Sequence, residues 1–246
     1  MIMLGKRVLI TGGGSGVGAD MARSFAGAGA QVVVTGRRAE PLEKLARTNP
    51  SVRAVVANVT QEDSVRAMFE QAGPCDIVIA NAGAADSGLL AKTTLDQWNE
   101  MIAVNLTGVF LTLREGVRQM PGWGRLISVA SIAGLKGFAY AAPYAAAKHG
   151  VIGLTRSLAL EVAKRPITVN AICPGYLDTE MTDRSIANIV AKTRKSPAEA
   201  QAILTATNPQ GRLIRPDEVT AAALWLCSPG ADSVNGQAIT LSGGEV

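Results

Sequence analysis

The most informative stretch of the chain reads Thr11-Gly12-Gly13-Gly14-Ser15-Gly16-Val17-Gly18, with five glycines in eight residues. An apolar run before it, Arg7–Thr11, predicts a strand, and a helix-like stretch, Val17–Gly29, follows it directly. Glycines let a backbone approach a pyrophosphate closely, and a helix N-terminus offers that group unpaired N–H donors. A glycine-rich loop by itself is also compatible with an ordinary turn. Its position between a strand and a helix predicts a dinucleotide-binding loop.

Seven apolar runs of strand type recur along the chain, and most of them are continuous rather than alternating. Such runs are typical of strands buried on both faces of a parallel sheet. The predicted strands are Arg7–Thr11, Gln31–Thr35, Val52–Ala57, Asp76–Ala80, Arg125–Val129, Ile167–Ala171 and Gln237–Leu241. Helix-like stretches separate them, at Val17–Gly29, Glu40–Arg47, Glu62–Gln71, Leu95–Gln119, Tyr144–Lys164 and Pro216–Cys227. The alternation predicts an α/β fold, a Rossmann-type doubly wound parallel sheet with right-handed crossovers.

The length of 246 residues is compatible with one large domain or two small ones, and no linker divides the chain. We therefore predict a single dinucleotide-binding domain over residues 1–246. The segment from Pro174 to Gly211 has no strand signal, which makes it long for a connection inside a compact domain. Long connections of this kind are often lids or binding elements, so residues 174–211 are predicted to form a substrate-binding lid.

Composition and charge narrow the class of protein. The formal net charge is +4 and the basic residues are scattered, which argues against a nucleic-acid partner. The three cysteines, Cys75, Cys173 and Cys227, include no close-spaced pair, so neither a disulfide framework nor a metal site is predicted. No apolar run reaches about 18 residues, and no cleavable signal segment is recognisable. These features predict a soluble, cytoplasmic protein without a metal and without a membrane partner.

The residues after the second predicted strand bear on the choice of coenzyme. An acidic side chain there would bind the ribose hydroxyls of NAD, but the chain reads Thr35-Gly36-Arg37-Arg38. The missing carboxylate removes a repulsion from a 2′-phosphate, and a guanidinium binds phosphate through charge-assisted, bidentate hydrogen bonds. The same arginines are also compatible with a solvated turn. We predict that Arg37 and Arg38 hold the 2′-phosphate of NADP, with NAD as the less favoured coenzyme.

Tyr144 and Lys148 lie four residues apart and share one face of a predicted helix. A nearby cation favours a phenolate, so Lys148 is predicted to lower the pKa of Tyr144 toward the range in which it exchanges protons near neutrality. Tyrosine and lysine at this spacing also occur by chance on helix surfaces. The pair is therefore a candidate acid–base site that needs support from the rest of the chain.

That support comes from five ordered motifs, in which the chain resembles the short-chain dehydrogenase/reductase family over essentially its whole length. The serine of that family lies thirteen residues before its tyrosine, as Ser131 does here. The motifs are the glycine loop with its Gly-x-x-x-Gly-x-Gly spacing, Ala80-Asn81-Ala82-Gly83, Val104-Asn105-Leu106, Ser131 with Tyr144 and Lys148, and the run Cys173-Pro174-Gly175-Tyr176-Leu177-Asp178-Thr179. The resemblance implies an oxidoreductase that interconverts a carbonyl and an alcohol with a nicotinamide coenzyme.

By this resemblance, the catalytic residues are Asn105, Ser131, Tyr144 and Lys148. Tyr144 is implied to protonate the carbonyl oxygen as hydride leaves the nicotinamide, and Ser131 to hydrogen-bond the same oxygen. Lys148 is implied to hold the nicotinamide ribose and to tune Tyr144, and Asn105 to hold a relay water through its backbone. The implied coenzyme-binding residues are Gly12, Gly14, Ser15, Gly16, Val17, Gly18, Arg37, Arg38, Asn58, Val59, Asn81, Ala82, Gly83, Tyr144, Lys148, Pro174, Gly175, Leu177 and Thr179.

Two positions depart from the family's motifs. Ala80 replaces the first asparagine of the Asn-Asn-Ala-Gly turn, which is expected to loosen a structural hydrogen bond without changing the contact to nicotinamide. Asn58-Val59 stands where the family has Asp-Val against adenine. An amide can both donate and accept hydrogen bonds, so adenine binding is predicted to survive.

The residues around Tyr144 and the long lid at 174–211 look like those of reductases that act on 3-oxoacyl thioesters and polyketides. This resemblance predicts 3-oxoacyl thioesters or polyketides as the class of substrate. The alternative is a 3-hydroxybutyrate dehydrogenase or another small secondary-alcohol dehydrogenase. The 3-hydroxybutyrate enzymes bind a free carboxylate with Gln, His and Lys side chains, at positions that are Ala85, Ala133 and Ala141 here. No cationic pocket is therefore predicted beside the ketone, and neutral ketones and thioesters are predicted over free acids.

A different class of protein is a non-catalytic NADP sensor on the same fold, since fold does not determine function. A sensor has no need for the complete set of Asn105, Ser131, Tyr144 and Lys148, so an enzyme is predicted. The family usually forms homotetramers, and the apolar faces of Leu95–Gln119 and Tyr144–Lys164, with the C-terminal stretch Leu241–Val246, offer suitable surfaces. A homotetramer that acts on a small molecule is the predicted assembly.

Overall fold

A computed structural model of the chain describes residues 3–120 and 122–246. Its strands are β1 (Arg7–Thr11), β2 (Gln31–Gly36), β3 (Val52–Val56), β4 (Ile77–Ala80), β5 (Gly124–Val129), β6 (Ile167–Pro174) and β7 (Ala238–Leu241). All of them pair in parallel in one sheet, in the order β3-β2-β1-β4-β5-β6-β7. The predicted doubly wound α/β fold is confirmed, and each strand lies where an apolar run predicted it.

Helices connect the strands and cover both faces of the sheet. They are α1 (Gly16–Gly27), α2 (Ala39–Thr48), α3 (Glu62–Ala72), α4 (Leu95–Ile102), α5 (Gly108–Gln119), α6 (Ala142–Glu161), α7 (Glu180–Thr193), α8 (Pro197–Thr205) and α9 (Pro216–Leu226). Helices α7 and α8 lie inside the segment 174–211, for which the sequence analysis predicts a lid without naming a helix. Within the two described ranges, no helix is long and apolar enough to cross a membrane.

The predicted helix Leu95–Gln119 is interrupted, which corrects the interpretation of that stretch. A π-helical turn, Ala103–Thr107, separates α4 from α5. Inside it, the Asn105 amide donates hydrogen bonds to the carbonyl oxygens of Met101 at 3.1 Å and Ala84 at 2.9 Å. These hydrogen bonds connect the helix to the loop that contains Ala84, and they favour one wide, π-helical turn. Such turns often occur at functional sites. Apolar periodicity continues on both sides of such a turn, so the sequence pattern does not reveal it.

Two apolar layers cover the two faces of the sheet. Val8 and Ile10 of β1 belong to one layer and Leu9 to the other, and all three are buried. Helices α1, α2 and α9 contribute to the first layer, and α3, α5 and α6 to the second. A strand between two layers needs apolar side chains in both directions, which explains the continuous apolar runs of the sequence.

Strands β1 and β4 are neighbours in the sheet although β2 and β3 lie between them in the chain, so the winding direction reverses at this pair. In open α/β sheets, ligands bind at such a reversal, outside the carboxyl ends of the strands. The segments that follow β1, β4, β5 and β6 carry the glycine loop, Asn81, Ser131 and Gly175. The fold thus brings motifs that are distant in the sequence to one edge of the sheet.

Candidate active site

A cavity of about 850 Å³ opens at this edge of the sheet. It is bordered by the glycine loop, by the segments that follow β2, β3 and β4, by the start of α6 and by α7. Every residue that the sequence analysis assigns to catalysis or coenzyme binding lines this one cavity. They are Gly12, Gly14, Ser15, Gly16, Val17, Gly18, Arg37, Arg38, Asn58, Val59, Asn81, Ala82, Gly83, Asn105, Ser131, Tyr144, Lys148, Pro174, Gly175, Leu177 and Thr179.

The glycine loop has the geometry of an anion-binding turn. Gly12 and Gly16 have φ angles of +66° and +50°, in the left-handed region that favours glycine. A Cβ atom on Gly18 would collide with the Gly12 carbonyl oxygen, so α1 starts directly against the end of β1. In the described part of the chain, Ser15 precedes α1 without a side-chain cap, and the first turn holds no acidic residue. The first N–H groups of α1 therefore fit the pyrophosphate of a dinucleotide.

Thr11 and Asn81 join the glycine loop to the turn after β4. The Thr11 hydroxyl accepts hydrogen bonds from the backbone N–H groups of Asn81 and Ala82, both at 3.0 Å. The Asn81 amide donates to the carbonyl oxygens of Thr11 at 2.9 Å and Gly12 at 3.2 Å. These bonds hold the turn in which Ala80 replaces the family's asparagine. The sequence analysis missed Thr11, although its place directly before the glycine loop is a usable signal.

Gly36, Arg37 and Arg38 line the cavity directly after β2. Arg37 and Arg38 are exposed, and Arg38 has an extended backbone before α2 begins. A Cβ atom on Gly36 would meet nothing closer than Leu42, at 3.9 Å, so a larger side chain has room at this position. Two adjacent cations without a neighbouring carboxylate at position 36 fit a phosphate on the adenosine ribose.

The Asn58 side chain already uses part of its hydrogen-bonding capacity. Its Oδ1 accepts hydrogen bonds from the N–H of Thr60 at 3.1 Å and from the Thr60 hydroxyl at 3.0 Å. An amide carbonyl oxygen has two lone pairs, and both are occupied here. The expectation that Asn58 both donates and accepts toward adenine is therefore corrected, because its NH₂ group is the part left to bind a ligand.

Ser131, Tyr144 and Lys148 form the catalytic candidate cluster. Ser131 follows β5, and Tyr144 and Lys148 lie one turn apart near the start of α6. The Lys148 side chain is buried; its Nζ donates a hydrogen bond to the Val129 carbonyl oxygen at 3.0 Å and lies 5.6 Å from the centre of the Tyr144 ring. The carbonyl group at the end of β5 thus positions the Lys148 ammonium beside the Tyr144 ring.

The environment shifts both titrating groups of this cluster. Burial raises the pKa of Tyr144 to about 12, and the nearby Ser131 side chain partly offsets the rise. Burial lowers the pKa of Lys148 to about 8. The predicted net lowering of the Tyr144 pKa is wrong for the protein without its coenzyme, because desolvation of the phenol dominates and the Lys148 Nζ donates to Val129. Tyr144 therefore carries its proton at neutral pH.

Asn105 organises the cavity from the π-helical turn. Its buried side chain donates to the Ala84 carbonyl oxygen at 2.9 Å and accepts from the Ala84 N–H at 3.2 Å. A Cβ atom on Gly83 would lie 3.0 Å from Asn105 Oδ1, so the loop after β4 passes very close to this amide. The Asn105 side chain is thus committed to shaping the loop, which leaves its main chain for any contact with water.

We call five of the lining residues the substrate end of the cavity, and three of them are small and two aromatic. Ala85, Ala133 and Ala141 line it, as do Phe138 and Tyr176. The sequence analysis missed both aromatic residues as part of the site. Tyr176 occupies a position that the Pro-Gly-x-x-x-Thr motif leaves unspecified, and Phe138 lies outside the five motifs, so no pattern marks either residue.

Arg184 of α7 also lines the cavity, and the sequence analysis did not single it out. Its side chain is exposed, so solvent screens its charge. Helix α7 is held against the loop after β4 by Asn188, whose amide donates to the Ser87 hydroxyl at 2.9 Å, and by Lys192, whose Nζ donates to the Ser87 carbonyl oxygen at 3.0 Å. These contacts place α7, with Arg184, beside the cavity.

The single histidine of the sequence, His149, is not among the residues that line the cavity. His149 is exposed, and its Nδ1 is 2.9 Å from the Ala145 carbonyl oxygen one turn earlier in α6. Across residues 3–120 and 122–246, no group of three or more His, Cys, Asp or Glu side chains is arranged to hold a metal ion. Ser131, Tyr144 and Lys148 are therefore candidate residues for chemistry in the cavity that the glycine loop also borders.

Comparison with known proteins identifies the class. A family model described as enoyl-(acyl carrier protein) reductase matches residues 12–245. The chain belongs to the short-chain dehydrogenase/reductase family of oxidoreductases.

Individual relatives cover nearly the whole chain. It is 33% identical to the 3-oxoacyl-[acyl-carrier-protein] reductase FabG of Aquifex aeolicus (strain VF5), over 98% of this chain and 97% of that protein. It is 34% identical to the D-beta-hydroxybutyrate dehydrogenase of Rhizobium meliloti (strain 1021), over 97% of this chain and 98% of the relative. A crystal structure of a tryptophan variant of actinorhodin polyketide ketoreductase with NADPH superposes with a TM-score of 0.90, at 35% identity, over 98% of this chain and 97% of that one.

Proposed function

We propose that this protein is an NADP(H)-dependent enzyme that interconverts a ketone and a secondary alcohol, with 3-oxoacyl thioesters and related ketones as its substrates. The observation that carries the proposal is that Ser131, Tyr144 and Lys148 line the same cavity as the glycine loop. A dinucleotide on that loop and a ketone beside the phenol would therefore share one space. The similarity to a 3-oxoacyl reductase and to a polyketide ketoreductase crystallised with NADPH supports this choice.

When bound, the coenzyme supplies the hydride. Tyr144 holds a proton at neutral pH, because its pKa is about 12, and donates it to the carbonyl oxygen of the ketone. Ser131 offers the same oxygen a second hydrogen bond while negative charge develops on it. Lys148, with a pKa of about 8, is mostly charged at neutral pH, binds the nicotinamide ribose and stabilises the phenolate that remains. Asn105 holds a water through its backbone, from which Tyr144 regains a proton.

The proposal also covers the coenzyme preference, the substrate lid and the location of the protein. Arg37 and Arg38 bind the 2′-phosphate and favour NADP over NAD. The residues 174–211 act as the substrate lid of a single domain, since α7 already contacts Ser87 beside the cavity. We propose a cytoplasmic location, which suits the free, buried thiols of Cys75, Cys173 and Cys227.

Two other functions are weighed against this one. A 3-hydroxybutyrate dehydrogenase is supported by the relative from Rhizobium meliloti but requires a carboxylate pocket, where this chain has Ala85, Ala133 and Ala141. A non-catalytic NADP sensor would bind coenzyme without consuming it. One experiment separates all three: NADPH oxidation is followed against a panel of ketones, 3-oxoacyl thioesters and acetoacetate. Binding of NADPH without oxidation by any member of the panel would favour the sensor.

We expect esters and thioesters of acetoacetate to be reduced with a kcat/KM at least about 100-fold higher than that of acetoacetate. A carboxylate beside the ketone would face alanines, and an unpaired carboxylate pays a desolvation cost of several kcal/mol. Initial rates with acetoacetate, acetoacetyl-coenzyme A and methyl acetoacetate at saturating NADPH measure the ratio. Equal efficiency for the acid and the ester contradicts this expectation. If acetoacetate is reduced as efficiently as the ester, loss of acetoacetate reduction in Arg184→Gln would identify Arg184 as the partner of the carboxylate.

We expect the protein to form a homotetramer in solution. Three large apolar side chains, Leu95 of α4, Phe110 of α5 and Leu160 of α6, are exposed in the isolated chain, with Leu160 at 80%. Closed symmetric assemblies bury such surfaces against copies of themselves. Light scattering at micromolar concentration should give about four times the 25.5 kDa mass of the chain. A monomer under these conditions is the contrary result, and Phe110→Asp should shift a genuine tetramer toward smaller species.

A further inference from the structure

A chain of contacts that the proposed mechanism does not use reaches the substrate end of the cavity. The Nζ of Lys136 lies 2.9 Å from Oε1 of Glu245 and 5.1 Å from the centre of the Phe138 ring. The Phe138 ring meets the Tyr176 ring edge to face, with centroids 6.5 Å apart. Phe138 and Tyr176 both line the cavity. Glu245, which follows β7, is thus connected to the cavity wall through one lysine.

The Glu245 carboxylate is the buried member of this ion pair. Its side chain is 5% exposed, whereas that of Lys136 is 38% exposed. The contact is an ion pair without hydrogen-bond alignment, and within the described residues Oε1 of Glu245 accepts no hydrogen bond. A buried carboxylate is costly unless a cation compensates it, and removal of that cation is strongly unfavourable. Lys136 is therefore required wherever Glu245 is buried and charged.

The backbone around Glu245 keeps the carboxylate in its place. Gly243 has a φ angle of +63°, and a Cβ atom there would collide with the Asn208 side chain, so this turn packs without any gap against the end of the segment 174–211. The N–H of Glu245 donates to the Ser242 carbonyl oxygen at 3.3 Å. The turn thus fixes the position from which Glu245 reaches Lys136.

Glu245 also lies against the segment that carries the second aromatic ring. Its Oε2 is 3.8 Å from the position that a Cβ atom on Gly175 would take. Burial raises the pKa of the Tyr176 phenol, and the negative charge of Glu245 raises it further. The carboxylate is therefore linked to Phe138 through Lys136, and its negative charge acts on Tyr176.

We propose that Glu245 is a positioning residue for substrate selection, which holds the Phe138–Tyr176 wall of the cavity through its ion pair with Lys136. The inference rests on the proposed reduction of ketones. Ala85, Ala133 and Ala141 leave space in this part of the cavity, so the two rings are the large groups whose position determines which ketone fits. Glu245 touches no reacting atom.

The test compares a ketone that reaches the wall with one that does not. Ethyl benzoylacetate carries a ring beside its ketone, and methyl acetoacetate carries a methyl group. In Glu245→Gln and in Lys136→Met, we expect KM for ethyl benzoylacetate to rise about tenfold, with kcat changed less than about twofold, because a loosened wall misplaces the larger substrate. Both constants for methyl acetoacetate should stay within about twofold of those of the unmodified protein.

Three further variants separate positioning from a general structural fault. Lys136→Arg keeps the cation and should retain the low KM. The double variant Lys136→Glu with Glu245→Lys restores an ion pair and should recover at least part of the selectivity. Asp63→Asn is the matched control, because it removes an ion-pair partner of Arg66 that is 96% exposed and distant from the cavity wall in sequence. Equal losses for both ketones in Glu245→Gln, or no loss for either, overturn the proposal.

The link between Glu245 and the aromatic wall can be tested separately from the proposed function, in a protein that reduces neither ketone. The ultraviolet titration of the tyrosinates is then compared between the unmodified protein and Glu245→Gln. Removal of the charge should lower the pKa of Tyr176, and Tyr140→Phe removes the signal of the exposed tyrosine from both samples. An unchanged titration would show that Glu245 does not act on the aromatic wall.

Discussion

Replacing Tyr144 with phenylalanine should lower kcat by about 10²–10⁴-fold, the range that a positioned general acid contributes. The variant keeps the ring and loses only the hydroxyl. Burial raises the pKa of Tyr144 to about 12, so this hydroxyl carries a proton at neutral pH and is available to the carbonyl oxygen. A serine hydroxyl is a much weaker acid, so Ser131 does not replace it. Steady-state reduction of a 3-oxoacyl thioester by NADPH measures kcat.

The comparison requires that the variant still folds and still binds NADPH. Tyr140→Phe is a suitable control, because Tyr140 is 62% exposed and its side chain makes no hydrogen bond with any described residue. Its backbone carbonyl oxygen, which the variant keeps, accepts a hydrogen bond from the N–H of Gly88 at 2.8 Å. This control should have the activity of the unmodified protein, and the dissociation constant for NADPH should be similar in all three proteins. Near-normal turnover in Tyr144→Phe would refute the role proposed for the phenol.

The double variant Gly36→Asp with Arg37→Ala should reverse the coenzyme preference from NADPH to NADH. Loss of one charge-assisted hydrogen bond to phosphate costs about 1.5–3 kcal/mol, or about 10- to 100-fold in NADPH affinity. The new carboxylate adds repulsion of the 2′-phosphate and can accept hydrogen bonds from the ribose hydroxyls of NADH. Position 36 has room for the side chain, because the nearest atoms to a Cβ there are 3.9 Å away in Leu42.

Fluorescence titration with NADPH and with NADH measures this reversal without requiring turnover. Arg47→Ala is the matched control, because it removes an exposed arginine of α2 that pairs with Glu43 and does not line the cavity. Its ratio of NADPH to NADH affinity should equal that of the unmodified protein. If the unmodified protein already binds the two coenzymes equally, Arg37 and Arg38 do not hold the phosphate.

Much of the fold could be predicted because the information is local. A strand with helices on both faces needs apolar residues in consecutive positions, and the run Arg7–Thr11 shows this requirement directly. The glycine loop is equally readable, because Gly12 and Gly16 adopt left-handed φ angles and Gly18 has no space for a side chain. These are properties of a residue and its near neighbours, so composition and spacing are enough to indicate them.

Other features depend on atoms that are distant in the chain. The π-helical turn at Ala103–Thr107 depends on hydrogen bonds between Asn105 and Ala84, and α7 is placed by its contacts with Ser87. No periodic pattern records such bonds, and helix propensity alone predicts one regular helix over Leu95–Gln119. Arg184 looks in the sequence like any other basic residue of an exposed helix, and only the position of α7 brings it to the cavity.

The electrostatics of the site also have one part that the local sequence predicts and one part that depends on the folded structure. Spacing alone predicts that Tyr144 and Lys148 are neighbours, since residues four apart share a helix face. The direction of the Tyr144 pKa shift depends on how far the phenol is removed from water, and that follows from the packing of the whole cavity around it. The residue types and their order along the chain were therefore sufficient for the class of chemistry. The acidity of Tyr144 and the shape of the aromatic wall held by Glu245 arise from burial and from long-range contacts, which exist only once the chain has folded.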